Sequence, residues 1–148
     1  MALVVGAFLA LAVGLFATGV GLDRDRGFYP TVTIVIALYY VLFAAIGGPS
    51  HPLLLESLVA GAFTAAAAIG FRSSLWLVVL ALAAHGVLDL AHAHVIANPG
   101  VPSWWRDFCL AYDLVAAAYL AWLLKTGRTS AAPTQPLRAG PASPPGRP

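Results

Sequence analysis

Apolar residues fall in five long runs along this chain, roughly 2–22, 30–47, 52–71, 75–97 and 104–124, separated by short polar breaks. Each run approaches the ~20 residues a helix needs to cross a hydrocarbon layer ~30 Å thick. Helix is the conformation that fits, because an open strand in lipid leaves its N–H and C=O groups unpaired. The pattern predicts an all-α polytopic membrane protein, an up-down bundle of five transmembrane helices within residues 1–125.

The breaks carry helix-ending chemistry. Asp23-Arg24-Asp25-Arg26-Gly27 separates the first two runs, and Pro30 suits the first turn of the second, where its missing N–H is harmless. Gly47-Gly48-Pro49-Ser50-His51-Pro52 and Phe71-Arg72-Ser73-Ser74 form the next two breaks. Asn98-Pro99-Gly100-Val101-Pro102-Ser103 predicts a turn with Pro-Gly at the centre of type II geometry, and Ser103 as the cap of the fifth helix. All four connections are short, so consecutive helices are expected side by side and antiparallel. The first run lacks a positive start, and Ala17-Thr18-Gly19 is a poor cleavage site, so it reads as a retained helix.

Composition agrees with the pattern. The chain has 148 residues, 60% of them hydrophobic and 9% charged, where a soluble domain carries about 25% charge. So few charges cannot cover a water-facing surface, which leaves lipid to do so. The net charge of +2 comes largely from the C-terminal end. No basic patch interleaved with aromatics is present, which sets aside a nucleic-acid partner. Cys109 is the one cysteine, so no internal disulfide can form.

Residues 126–148 differ from the rest. They hold six of the eleven prolines, three arginines and one large apolar residue, Leu137, and so predict a disordered Pro-rich tail. With five spans, Arg24, Arg26, Arg72, Lys125, Arg128, Arg138 and Arg147 share one side, against Arg106 alone on the other. The positive-inside rule then puts the N-terminus outside and the tail in the cytoplasm. Trp104 and Trp105 suit the outer interface; Trp76, Trp122, Phe28 and Tyr29 suit the inner one.

Helix packing has its own signal. Gly6, Ala10, Gly14 and Thr18 recur at four-residue steps in the first helix, and Gly61 and Ala65 share that spacing in the third. The fifth helix has the run Ala116 to Ala118. Such stripes of small residues let another backbone approach closely. They form a generic packing surface, and homo-oligomerisation is compatible with it.

The candidate chemistry lies in the fourth run. At 3.6 residues per turn, His85, Asp89 and His92 fall near about 0°, 40° and −20°, one narrow helix face. His94 falls opposite and near the end, as an interfacial residue does. At 1.5 Å per residue, His92, Asp89 and His85 lie roughly 7, 12 and 18 Å below the outer boundary, Asp113 roughly 13 Å and Glu56 roughly 6 Å. Overlapping depths predict one site from Glu56, His85, Asp89, His92 and Asp113. An ionised Asp at a helix centre costs ~2.5–3.5 kcal/mol, so these groups need partners.

Two arrangements meet that need. The acids and imidazoles pair among themselves, or a cation sits among ionised carboxylates and neutral imidazoles. His85, Asp89, His92 and Glu56 are the candidate metal ligands, with Asp113 as a further ligand or general base. Two histidines with carboxylates suit Zn²⁺ or another divalent metal. His-x3-Asp-x2-His is not the H-E-x-x-H protease signature. Glu56 also fits the favourable dipole of a helix first turn. Arg106 would pair with Glu56, bind an anionic headgroup, or simply snorkel to the interface. Cys109 reads as a small packing residue, and Tyr39, Tyr40 and Tyr112 as hydrogen-bond donors.

Gly27-Phe28-Tyr29-Pro30-Thr31 leading to Tyr39-Tyr40, His85-Gly86-Val87-Leu88-Asp89-Leu90-Ala91-His92, Asn98-Pro99-Gly100-Val101-Pro102-Ser103-Trp104-Trp105, and Tyr112-Asp113 together resemble a family of small, functionally uncharacterised bacterial integral membrane proteins. The resemblance covers the spans and not the tail. It implies a polytopic fold in a bacterial inner membrane and supplies no activity. More distantly, histidines and aspartates within helices are similar to the metal sites of ceramidase and progestin-receptor-like membrane hydrolases. This chain has fewer helices than those proteins and lacks their full motif.

Three functional readings follow from the sequence. The first is an intramembrane divalent-metal site, hydrolysing a lipid or small amphiphile that enters from the outer leaflet. The second is a proton-coupled transport component. The third is a non-catalytic membrane subunit whose polar network locks the third, fourth and fifth helices together.

Overall fold

The computed structural model describes residues 1–48 and 50–129. Five helices account for most of them: α1 (Ala2–Val20), α2 (Phe28–Gly47), α3 (Ser50–Arg72), α4 (Leu75–Val95) and α5 (Trp105–Lys125). All five are long and apolar enough to cross a membrane. No strand is present among the described residues. The apolar runs locate each helix to within two residues at every end.

Local chemistry sets the ends. Gly21, at φ +82°, closes α1 by donating its N–H to the Ala17 carbonyl, a left-handed cap that glycine adopts without steric cost. Ser74 caps α4 by accepting the Trp76 N–H. Ser103, expected to cap α5, does not: the helix begins one residue later, after Trp104, with no side-chain cap.

The helices run alternately up and down. The α2–α3 and α4–α5 loops share the upper end with the chain start; the α1–α2 and α3–α4 loops share the lower end with residues 126–129. Neighbours around the bundle follow the order α1, α5, α4, α3, α2, with α2 also touching α4. Three of the four sequential pairs are therefore side by side, as expected. The first is not: α1 packs along α5 rather than α2. A one-turn 3₁₀ helix, Leu22–Arg24, spaces the two, and the small face of α1 has a better partner.

That partner explains the stripe. Gly6 abuts the Phe108 carbonyl and the Tyr112 amide, and Gly14 abuts the Tyr119 ring, so α1 and α5 run parallel in contact. Ala10 and Ala17 are buried between them. Thr18 hydrogen-bonds the Tyr119 hydroxyl at 2.9 Å and donates to Asp23 at 2.5 Å. The small residues of α1 thus serve packing within the chain. Gly61 and Ala65 do not: both are exposed, and nothing approaches a side chain at Gly61.

The break at 98–101 also differs in its reason. The Val101 N–H reaches the Asn98 carbonyl at 3.3 Å, but Gly100 lies outside the positive-φ region that a type II turn requires. Glycine is needed there for closeness instead, because the Gly100 backbone presses on Phe43 and Gly47 at the end of α2.

Large side chains such as Phe8, Leu15, Leu80 and Val87 point outward. Facing water they would form an apolar surface too extensive for a soluble monomer; facing lipid they are ordinary. A cleft of about 700 Å³ separates α1 from α2 and is floored by α5. Thr129 donates to the Asp23 carbonyl at 3.0 Å, and the Arg128 guanidinium lies 4.6 Å over the Trp122 ring, so residues 126–129 turn back onto the lower end. Residues 130–148, which hold most of the expected tail, lie outside the described residues.

A Gly6→Val substitution should separate α1 from α5 and lower stability by at least about 1–3 kcal/mol, the usual range for overpacking. Gly61→Val should leave it nearly unchanged. Thermal unfolding in detergent, followed by circular dichroism, compares the two.

Candidate metal centre

All five residues expected to form the site are buried. Glu56, His85, Asp89, His92 and Asp113 are 2%, 2%, 0%, 6% and 0% exposed. They come from α3, α4 and α5, the helices whose equal depths predicted convergence. They meet as two adjoining groups rather than one.

The lower group is His85, Asp89 and Asp113. His85 and Asp89 stand one turn apart on α4, and Asp113 faces them from α5. One ligand-capable atom of each lies within 4.8 Å of the others. His85 Nδ1 is 2.7 Å from Asp113 Oδ2 and 3.9 Å from Asp89 Oδ2. Gly86 makes this approach possible, because its missing side chain leaves room for the Asp113 Cβ and the Leu110 carbonyl. From α2, the Tyr40 hydroxyl donates to Asp89 Oδ1 at 2.7 Å. Phe63 covers the His85 ring edge-on at 4.8 Å.

The upper group is a closed pair with a clamp. His92 Nε2 lies 2.8 Å from Glu56 Oε1. The Asn98 amide donates to the same oxygen at 2.9 Å and to the Tyr40 carbonyl at 3.2 Å. Its own oxygen accepts the Gly100 N–H at 3.2 Å. The Tyr40 ring separates the groups, 4.1 Å from the His92 ring and 5.9 Å from that of His85. Glu56 and His92, expected among the metal ligands, are thus bonded to each other and stand apart from the three-residue group. Asp113, expected as ligand or base, stands within it.

The two groups differ in how completely they are satisfied. Asp89 Oδ2 and Asp113 Oδ1 are buried and make no hydrogen bond with any described residue. Buried polar atoms are nearly always partnered, so an unpartnered oxygen on each of two neighbouring aspartates calls for a proton or a cation. One nitrogen and two carboxylate oxygens also match the donor types that bind zinc and similar divalent ions. Below, Leu82, Val78, Leu75, Leu120 and Leu123 are packed with at most 1% exposure. The polar chain therefore ends on an apolar floor.

The remaining candidates fall elsewhere. Arg106 does not reach Glu56; it pairs with its neighbour Asp107 at 3.0 Å on the exposed rim. Cys109 is buried in the packing between helices. His94 is exposed on the opposite face of α4. Tyr39 is 40% exposed, whereas Tyr40 is 4% exposed. The Tyr29, Thr33, Ile36, Tyr40, Ala44 spacing marks the buried face of α2 and distinguishes the two tyrosines. Asn98 read only as a turn residue, and nothing in the sequence singled it out as a clamp.

No protein-family model, curated protein or solved structure matches this chain.

Asn98→Ala would remove a donor from Glu56 and the support of the α4–α5 loop. A stability loss of about 1–3 kcal/mol is expected, the usual cost of leaving a buried polar group unsatisfied. Asp107→Ala, on the exposed rim, should cost far less. Chemical denaturation of both variants in the same detergent measures the difference.

Proposed function

We propose that the protein is an intramembrane metalloprotein that holds one divalent ion, Zn²⁺ or a close equivalent, between His85, Asp89 and Asp113. The observation that carries this reading is the cluster of His85, Asp89 and Asp113, whose ligand-capable atoms lie within 4.8 Å of one another and in which each aspartate keeps one buried, unpartnered oxygen. A divalent cation held by the two carboxylates would offset the cost of two ionised aspartates in hydrocarbon.

His85, Asp89 and Asp113 would supply three protein ligands, the number typical of catalytic rather than structural zinc sites. When bound, such an ion would supply activation of water for hydrolysis. The chain's own residues would then do the following. Tyr40 orients Asp89 through its hydroxyl, and Phe63 holds the His85 ring. Glu56 fixes His92, whose second ring nitrogen is available to move a proton at the upper mouth. The activity we infer is hydrolysis of a lipid-like amphiphile that enters at the upper end, which we place outside the cytoplasmic membrane face, with the C-terminal tail inside. We take the membrane to be a bacterial inner membrane, on the strength of the sequence motifs.

The alternative of proton-coupled transport has less support, because the leucine and valine floor beneath His85 offers no polar path to the lower end. A purely structural network accounts well for the Glu56–His92–Asn98 clamp, but it leaves the two aspartate oxygens unexplained.

Metal analysis of protein purified in detergent tests the proposal. About one divalent ion per chain is expected, falling close to zero in Asp89→Asn and Asp113→Asn, and largely retained in His92→Gln. A content near zero in the wild type that zinc addition does not restore would rule out the metal reading and leave the structural one.

A further inference from the structure

Above the Glu56–His92 pair, a cavity of about 760 Å³ opens between the first turn of α3, the end of α4 and the loop entering α5. Its polar lining is His51, His92, Asn98, Ser103 and Arg106, and no carboxylate among the described residues lines it. The volume lies within the range of cavities that hold one small ligand.

The lining donors differ in how far they are already committed. Asn98 is fully engaged in the clamp. His92 is not: Glu56 takes Nε2, and Nδ1 makes no hydrogen bond with a described residue. The carboxylate holds the ring by Nε2, and the His92 side chain lines the cavity. Arg106 uses Nε and Nη2 on the single oxygen Asp107 Oδ1, at 3.1 and 3.0 Å. That pair is exposed and weak, and it leaves Nη1 unengaged. His51, exposed on the opposite wall, adds a further imidazole. The acidic groups nearest to these donors are Asp107, beside Arg106, and Glu56, beneath His92.

We propose that this cavity binds the phosphate-type headgroup of an anionic amphiphile, with Arg106 and His51 as outer donors, the Ser103 hydroxyl beside them and His92 Nδ1 at the base. Donors converging from three separate segments suit a tetrahedral oxyanion with several acceptor oxygens better than a two-oxygen carboxylate. The guanidinium fork is the side chain that best matches such oxygens. In its functional sense the inference rests on the metal-centre reading. Asp89 lies three residues below His92 on the same helix face, a rise of about 4.5 Å, with the Tyr40 ring between the two groups.

Trp104 and Trp105 immediately precede Arg106, so intrinsic fluorescence reports on this rim. The test titrates the full chain in detergent with short-chain phosphatidylglycerol, short-chain phosphatidylcholine and inorganic phosphate, and measures metal content in the same samples. Saturable binding of phosphatidylglycerol in preference to phosphatidylcholine is expected. His51→Gln combined with Arg106→Gln should weaken it by at least about tenfold, the loss expected for one charge-assisted hydrogen bond. Both residues are exposed, so the double variant should fold and keep its metal content. Inorganic phosphate that binds and competes as strongly as the lipid would support the oxyanion site and identify free phosphate as its source. Absence of saturable binding by either phosphate compound would overturn the proposal, as would equal binding of phosphatidylcholine or full affinity in the double variant. Headgroup binding without metal would sink the metal centre and leave this site standing.

Discussion

A carboxylate inside a bilayer must find a proton or a positive charge, and three of them lie in the upper half of this bundle. Much of the rest can be read as a response to that constraint. Glu56 is answered by His92 and Asn98, Asp113 by His85, and Asp89 by Tyr40. Four helices are joined by these bonds, so the polar groups also fix which helices are neighbours. Glu56 Oε1 takes two donors, whereas each aspartate keeps a buried oxygen with none, and that difference separates a clamp from a candidate binding site.

Close packing makes the polar contacts reachable. Asp113 reaches His85 only because Gly86 lets α5 lie against α4. On its other side α5 is held by α1, whose Gly6 and Gly14 receive the Phe108 carbonyl and the Tyr119 ring. Gly100 performs the same service for the loop that carries Asn98. In lipid, where apolar surface gains little by leaving its solvent, such backbone proximity and interhelical hydrogen bonding supply the association energy. The apolar lower half adds a dry floor beneath the polar groups. Small residues, ionisable residues and bulky aliphatic ones thus do separate jobs.

Much of this was legible in the sequence. Hydropathy located five helices, because lipid leaves a chain few ways to satisfy its backbone. The shared face of His85, Asp89 and His92, and depth counting for Glu56 and Asp113, placed the ionisable groups in one half of the bundle. Periodicity within one helix says nothing about which helix lies across from it. The pairing of α1 with α5, and the division of the acids between two groups, therefore came only from the fold. Depth resolves one coordinate; His92 and His85 share a face but stand about two turns apart, and Tyr40 fills the interval. Asn98 escaped notice because an asparagine before Pro-Gly is fully explained by turn chemistry. Gly100 looked like a turn residue too, and its role in close approach is visible only against α2.

The central claim is that a single ion sits between α4 and α5 at the level of Tyr40. X-ray anomalous scattering at the zinc edge, from crystals of the protein loaded with zinc, tests it most directly. The account predicts one strong peak in contact with His85, Asp89 and Asp113. A peak at His92 or His51 instead, or none with the three side chains closed on one another, would contradict it.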